Sequence, residues 1–185
     1  KLSKQFHLPI QSGSDRVLSS MKRNYTVLEY KSIIRKLKKA CPDISITSDF
    51  IIGFPNETKD EFEQTKKLMK EINFDYSFSF LYSPRPGTPA AFIKDNIAQQ
   101  EKERRLKEFQ KINVTQGKTH TLKMIGTTQR ILIDQPSKRK KGVYLGKTDN
   151  NRVVEIQGGP ELLNKFVTIK ITNITEKNLE GVVLK

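Results

Sequence analysis

Two hydrophobic periods follow one another along the first two thirds of the chain, and they predict strands and helices in alternation. A two-residue period or a buried apolar run indicates strands, and a period near 3.6 residues indicates amphipathic helices. Strands separated by helices favour parallel pairing with right-handed crossovers. The predicted strands are 6–11, 44–52 and 74–82, and the predicted helices are 15–21, 26–41, 59–72 and about 98–122.

The junction at residues 43–58 organises this part of the chain. Gly53 and Pro55 end the apolar strand, and Thr58 with Glu61 forms a capping box that starts the next helix. Ligands in α/β folds bind where strands pass into helices. The turn is therefore predicted to be one wall of a site.

After Gly126 the pattern changes to short strands separated by Gly, Asn and Lys turns. This spacing is typical of a small closed or partly open barrel of the oligonucleotide-binding kind. We expect one domain over residues 1–122 and a second over 123–185. The strand candidates are 127–134, 143–147, 152–156, 166–173 and 178–184.

Strand alternation predicts which side chains share a face. If the aromatic side of the third strand packs on helices, its other side is polar, and the first two strands also present polar or small residues there. Such an interior indicates a cavity, because a complete barrel is filled by bulky branched side chains; an open sheet facing solvent is the alternative. The predicted inner faces comprise His7, Gln11, Ser45, Thr47, Asp49, Ile51, Gly53, Asp75, Ser77, Ser79 and Ser83.

The net charge and the cysteine content limit the kinds of partner and of bound metal that this protein can have. A net charge of +14 with a sequence pI near 9.8 favours a polyanionic partner, RNA or DNA before membrane. Cys41 is the only cysteine, which excludes internal disulfides and a cysteine set for zinc or an iron–sulfur cluster. We find no apolar run of about 18 residues for a membrane span and no signal peptide.

Several polar residues are candidates with an ordinary structural alternative. His7 and Asp49 are site residues or hydrogen-bonded strand residues. The segment 12–14 binds an anion through its amides or is a plain turn. Arg23 and Arg85 adjoin strand-end loops and suit carboxylate or phosphate, and surface exposure is the alternative.

Two segments of the second domain suit RNA. The run Lys138-Arg-Lys-Lys141 can contact phosphates, and Asn150-Asn-Arg152 can contact bases or sugar, unless each is only a solvated turn.

Four strings in the chain resemble motifs of the radical S-adenosylmethionine (SAM) methylthiotransferases. They are 7–15 (HLPIQSGSD), 48–58 (SDFIIGFPNET), 82–91 (YSPRPGTPAA) and 146–154 (GKTDNNRVV). Asn56 stands where the family form has Gly, and Asn also tolerates positive φ. The resemblance implies an α/β partial (β/α) barrel fragment of a radical SAM core, followed by a small all-β, OB-like TRAM barrel.

The resemblance also implies a reaction, its cofactors and its substrates. Family members use SAM and two [4Fe-4S] clusters to insert sulfur and a methyl group, and the cluster cysteines lie N-terminal to residue 1. Strings such as 126–130 and 148–152 are most similar to the branch that modifies C2 of N(6)-isopentenyladenosine beside the tRNA anticodon. Other branches act on threonylcarbamoyladenosine in tRNA or on a ribosomal-protein aspartate, and a non-enzymatic RNA-binding module remains an alternative.

Partners and site residues follow from the same resemblance. It implies tRNA and an electron donor as partners, a monomer, a cytoplasmic location, and no activity for this fragment alone. The catalytic residues are not assigned. The SAM-proximal positions are Gln11, Ser12, Ser14, Arg23, Asp49, Gly53, Pro55 and Glu57. The RNA-binding positions are Arg85, Lys138, Arg139, Lys140, Lys141, Lys147, Asn151 and Arg152.

Overall fold

The computed structural model describes residues 4–175 and 178–184. Residues 6–117 form one compact unit, and the residues from 118 onward belong to a second. The first unit contains most of β1 (Gln5–His7), α1 (Asp15–Ser20), α2 (Val27–Ala40), β2 (Ser45–Ile52), α3 (Lys59–Ile72), β3 (Tyr76–Leu81) and most of α4 (Gln99–Leu122). The second contains β4 (Thr128–Pro136), β5 (Val143–Thr148), β6 (Val153–Gln157), β7 (Phe166–Ile174) and β8 (Leu179–Val183). Single 3₁₀ turns lie at Pro89–Phe92 and Pro160–Leu162.

The first unit is built on a three-stranded sheet in the order β1-β2-β3. β2 and β3 pair in parallel, as the alternation of strands and helices predicted. The core lies between this sheet and the helices, where Phe50 packs against Phe74 and Phe109 with ring centres 5.6 and 4.8 Å apart. All three phenylalanines are fully buried, so β2 is the central strand that the core surrounds.

Capping boxes start α2 and α3 where the sequence pattern placed them. The hydroxyl of Thr58 accepts a bond from the Glu61 amide, and the Glu61 carboxylate accepts one from the Thr58 amide. Thr26 and Glu29 make the same pair of bonds at the start of α2. Two otherwise unpaired backbone donors are satisfied at each helix start. At α3 these bonds also fix the path of the chain out of β2.

β3 faces the opposite way from the prediction. Tyr76, Phe78 and Phe80 are each about half exposed, whereas Ser77 is buried against the helices. The side-chain amide of Asn113 on α4 bonds both the N–H and the carbonyl of Ser77. The expectation of an aromatic side packed on helices and a polar side facing a cavity is therefore wrong for this strand.

The second unit is a closed barrel in the order β4-β5-β6-β8-β7. All five strand candidates of the sequence are present. The interior is filled by β-branched residues from alternating positions, among them the fully buried Ile131, Ile133, Val154, Ile169 and Ile171. Closure pairs each of the five described strands on both of its sides, which protects them from pairing with another chain.

Candidate functional site

The carboxyl ends of the three parallel segments meet at Gln11, Gly53 and Tyr82. The amide of Gln11 donates to the Asp49 carbonyl, and the carbonyl of Gln11 accepts from the Ile51 amide, both at 2.9 Å. The Tyr82 amide donates to the Ile52 carbonyl at the same distance. Gln11 has a φ of 76°, a left-handed conformation that costs free energy for a residue other than glycine. Such outliers concentrate at functional sites, so this rim is the first candidate region.

A buried ion pair fixes the turn that follows β2. The amide of Gly53 donates to the Glu57 carboxylate at 3.0 Å, and Arg105 of α4 donates to that carboxylate at 3.2 Å and to the Glu57 carbonyl at 2.9 Å. The Glu57 side chain is fully buried. Burial raises its pKa, while the Gly53 amide and the Arg105 guanidinium act in the opposite direction. Glu57 therefore joins the turn to α4.

Gly53 is required for two reasons that both come from this turn. Its φ is +72°, and a Cβ at this position would lie 2.7 Å from Cγ of Lys102. The ammonium group of Lys102 is bonded to Asp95, so its hydrocarbon stem stays against the turn. A glycine here lets α4 pack directly on the end of β2.

The serines of the segment 12–14 face α3. The hydroxyl of Ser12 lies 3.4 Å from that of Thr65 and accepts a bond from the Ser14 amide, while the Gly13 amide donates to Thr65. The hydroxyl of Ser14 caps α1 and donates to Glu61 at 3.0 Å. These contacts explain why both serines are buried, and their role toward SAM stays a prediction.

Glu61 is the centre of the contact between α1 and α3. Arg16 donates to it from Nε and Nη2 at 2.5 and 2.6 Å. The hydrogen bonds from Arg16, and further ones from Thr58 and Ser14, lower the pKa of Glu61 to about 2 against the opposing effect of burial. Glu61 is consequently a carboxylate at neutral pH, and no local pattern in the sequence indicates this long-range pairing.

A polar cluster and an aromatic row share the face of the sheet opposite the helices. His7 bonds Thr47 through Nδ1 at 2.9 Å and lies 3.4 Å from Asp49 through Nε2. The register places Thr47 beside Tyr76 and Asp49 beside Phe78. We call this surface the aromatic face; it comprises His7, Thr47, Asp49, Tyr76, Phe78 and Phe80.

The aromatic face combines rings with hydrogen-bonding groups. Tyr76 and Phe78 meet edge to face at 5.0 Å, and Phe78 and Phe80 lie nearly parallel at 6.4 Å. The His7 and Asp49 side chains are 46% and 29% exposed, so both can reach a ligand. Planar polar molecules suit such a surface, because rings cover their faces while polar groups bond their edges. The sequence identified His7 and Asp49 separately but did not pair them.

The remaining SAM candidates do not gather at the rim as a group. Pro55 is buried within the turn after β2, and Arg23 is exposed beyond α1. Arg85, proposed for RNA, is exposed in the loop after β3, where its carbonyl accepts a bond from Thr88.

The barrel carries the other RNA candidates on its turns. Lys138, Arg139 and Lys141 are exposed between β4 and β5, whereas Lys140 pairs with Glu155 at 2.7 Å. Lys147 is exposed on β5. In the next turn Asn151 has a φ of 62°, and Nε of Arg152 donates to the Thr121 hydroxyl.

Residues 4–175 and 178–184 contain neither a cluster of metal-ligating side chains nor a membrane-spanning helix. No group of three or more His, Cys, Asp or Glu side chains in those ranges is placed to hold a metal ion. Cys41 is a free thiol at the end of α2, so the residues of this chain do not fit an iron–sulfur cluster. Within the same ranges no helix has the length and apolarity needed to cross a membrane.

Comparison with known proteins gives two family matches. Residues 2–69 match the radical SAM superfamily, and residues 122–184 match the TRAM domain. The chain is 53% identical over 98% of its length to the tRNA-2-methylthio-N(6)-dimethylallyladenosine synthase of Methylobacillus flagellatus. It is 51% identical over 97% of its length to the proteins of that name from Yersinia pestis and Yersinia pseudotuberculosis.

The relatives are more than twice as long as this chain, so the match covers only part of each of them. The chain spans 41% of the Methylobacillus protein and 38% of the Yersinia proteins. Within that span the order is the same as in the fold, with a radical SAM region before a TRAM barrel. The chain therefore resembles a portion of these synthases in which a radical SAM region is followed by a TRAM domain.

Proposed function

We propose that this chain is part of a tRNA methylthiotransferase that adds a methylthio group to C2 of N(6)-isopentenyladenosine beside the anticodon. The observation that carries the proposal is the identity of 53% over 98% of the chain to a synthase named for that nucleoside. The name comes from the relative, and the chain itself supplies less than half of such a protein. A tRNA and an electron donor are the partners that this activity requires.

The parallel sheet fits one part of a (β/α) barrel that holds SAM at the carboxyl ends of its strands. The rim at Gln11, Gly53 and Tyr82 has the chemistry for this. Within the described residues, the buried hydroxyl of Tyr82 and Oε1 of Glu57 lack hydrogen-bond partners. Buried polar atoms generally require partners, so both support a polar ligand at this end of the sheet.

In this proposal the SAM candidates have two roles. We assign direct contact to Gln11, Gly53 and Asp49, which lie at the rim or on the aromatic face. Ser12, Ser14 and Glu57 hold the rim against α3 and α4 through the bonds described above. SAM, together with a reduced iron–sulfur cluster whose ligands lie outside this chain, would supply the radical.

The aromatic face supplies a surface for the target adenine in this proposal. Tyr76 and Phe78 can cover the flat base, and the His7–Asp49 pair can bond a ring nitrogen or the exocyclic nitrogen. The residue roles follow from one chemical requirement, which is that a planar heterocycle be held still while one of its carbons reacts.

A chimaera tests the proposal. The aligned segment of the Methylobacillus flagellatus relative would be replaced by this chain and expressed in a bacterium lacking its own synthase. We expect 2-methylthio-N(6)-isopentenyladenosine to reappear in digested tRNA analysed by mass spectrometry. A relative lacking the segment is the negative control. Methylthiolation of threonylcarbamoyladenosine or of a ribosomal protein instead would reject this substrate assignment.

A further inference from the structure

An exposed aromatic ring on the outside of the barrel is covered by a cation. Cζ of Arg130, on β4, lies 4.1 Å from the ring centre of Phe166, on β7. The two residues are diagonal neighbours, because Arg130 pairs with Thr168 and Leu132 pairs with Phe166. Phe166 is 57% exposed, so this ring is not part of the barrel core.

The neighbours of this pair make a cationic surface with an apolar centre. Lys147 lies opposite Leu132 on β5, and Lys170 lies further along β7; both side chains are exposed. Leu132 is itself 36% exposed and adjoins Phe166. We call the surface made by Arg130, Leu132, Lys147, Phe166 and Lys170 the β4–β7 platform.

The acidic side chains on the outside of the barrel lie mostly on other strands. Glu155 is on β6, bonded to Lys140 and Asn178, and Glu180 is on β8 near Asn173. Asp134 is on β4 two residues beyond Leu132, at the irregularity in the pairing with β5. The platform therefore presents three cations around one ring, a distribution complementary to a polyanion.

We propose that the β4–β7 platform binds an unpaired stretch of RNA, with one nucleobase stacked on the Phe166–Arg130 pair and flanking phosphates bonded by Lys147 and Lys170. A ring beside cations is the arrangement that binds single strands, because every base has a flat face and every phosphate a charge. A duplex offers the phosphates but keeps its bases stacked inside. The proposal rests on the proposed function only for RNA as the partner, and it locates the contact on a surface separate from the basic turn 138–141.

The absence of tryptophan from this sequence permits a direct test. Phe166→Trp keeps an aromatic surface and introduces one fluorophore at the platform. The chain would be titrated with a hairpin RNA that has an unpaired loop and with a fully paired RNA of equal length. We expect the hairpin loop to quench the tryptophan and the duplex to leave its emission nearly unchanged.

Affinity measurements separate stacking from charge. Phe166→Leu should weaken hairpin binding about tenfold without changing the salt dependence, since stacking of one base has an effect of this order and the ring is uncharged. Lys170→Gln should weaken binding and also reduce the slope of log K against log salt by about 0.7, the value for one phosphate contact on a single strand. Phe92→Leu, at a ring that is 85% exposed in the other unit, is the matched control and should change neither quantity.

Each contrary result has its own meaning. If the unaltered chain binds the hairpin while Phe166→Leu binds equally well and Phe166→Trp is not quenched, the platform is rejected and the proposed function stands. If the unaltered chain binds neither RNA, the RNA partner of the proposed function is rejected together with the platform. If sedimentation shows self-association that Phe166→Leu abolishes, the ring contacts a second copy of the chain, and the RNA proposal is overturned.

Discussion

Gly53 combines a positive φ with a contact from a neighbouring helix, and the two effects can be separated. A left-handed backbone costs a residue with a Cβ about 1–2 kcal/mol. Gly87 has a similar φ of +82°, and a Cβ added there would meet nothing within 4 Å, so it carries the backbone effect alone. At Gly53 the added methyl also displaces the stem of Lys102.

Gly53→Ala should therefore destabilise the first unit more than Gly87→Ala does. We expect about 1 kcal/mol for Gly87→Ala from the backbone and at least about 2 kcal/mol for Gly53→Ala. Hydrogen exchange of peptides covering β2, followed by mass spectrometry, measures the opening free energy of this region. Equal effects of the two substitutions would show that Lys102 moves aside freely.

The lowered pKa of Glu61 leads to a second prediction, which concerns the dependence of stability on pH. Its pKa is about 2 in the folded chain, below the ordinary value of 4.5, because Arg16 and further donors bond the carboxylate. A carboxyl group whose pKa is lowered by folding stabilises the fold above its unfolded pKa and loses that contribution as the pH falls. The loss is expected between pH about 4.5 and pH about 2.

Thermal unfolding against pH tests this contribution. The melting temperature of the unaltered chain should fall over that acidic window, and Glu61→Gln should show a lower but flatter curve. Glu71→Gln is the control, since Glu71 pairs with Lys31 but its side chain is 49% exposed and therefore screened by solvent. A curve for Glu61→Gln as steep as that of the unaltered chain would assign the acid sensitivity to other carboxylates.

Among the contacts between elements, Arg105 joins α4 to the turn after β2, and Arg104 is its neighbour on the same helix. The side chain of Arg105 is 7% exposed and bonds the buried Glu57, whereas that of Arg104 is 54% exposed and bonds Glu101 and Glu108 on its own helix. Removing one partner of a buried ion pair leaves the other charge buried and uncompensated. The two arginines thus provide a comparison with equal charge and nearly equal position.

Arg105→Met should destabilise the first unit by about 3 kcal/mol, because the Glu57 carboxylate loses its compensating charge. Arg104→Met should cost less than about 1 kcal/mol, as is usual for exposed pairs. Urea unfolding followed by the tyrosine signal measures both. Adding Glu57→Gln to Arg105→Met should restore part of the loss, and a further decrease instead would show that the bond from the Gly53 amide requires the charged carboxylate.

The elements also show how far sequence patterns determine this fold. The capping boxes place the starts of α2 and α3 correctly, and the five barrel strands follow from alternation, because both are local signals. The aromatic side of β3 could not be assigned, since alternation separates two faces without stating which one the helices cover. Asn113 decides it by bonding the Ser77 backbone from a distance of 36 residues along the chain.

The residues of the candidate site fall into the same two groups, those with a local sequence signal and those that depend on contacts between distant segments. Gln11 and Gly53 were found because strand ends and Gly-Pro turns are visible in sequence. The His7–Asp49 and Glu57–Arg105 pairs were not, because each joins segments more than 40 residues apart. Contacts between distant segments depend on the register of the sheet and the seating of helices, which a single sequence does not encode in any local pattern.

At the scale of the whole molecule, a net charge of +14 raises the question of whether RNA responds to total charge or to particular contacts. Lys138, Arg139 and Lys141 are exposed in one turn, while Lys140 of the same run is bonded to Glu155. Replacing the three exposed residues by Gln changes the net charge by the same amount as replacing Arg35, Lys36 and Lys39 on α2. The second triple variant is therefore a control for total charge.

If the turn contacts phosphates, its triple variant should reduce the slope of log K against log salt by about 2, because each lost contact with single-stranded RNA removes about 0.7. The α2 triple variant should leave the slope nearly unchanged, since contacts rather than distant charges release counterions. Filter binding of tRNA over a range of KCl concentrations measures both slopes. Equal reductions in the two variants would mean that tRNA responds to overall charge, and unchanged slopes in both would place the phosphate contacts on other cations of the chain.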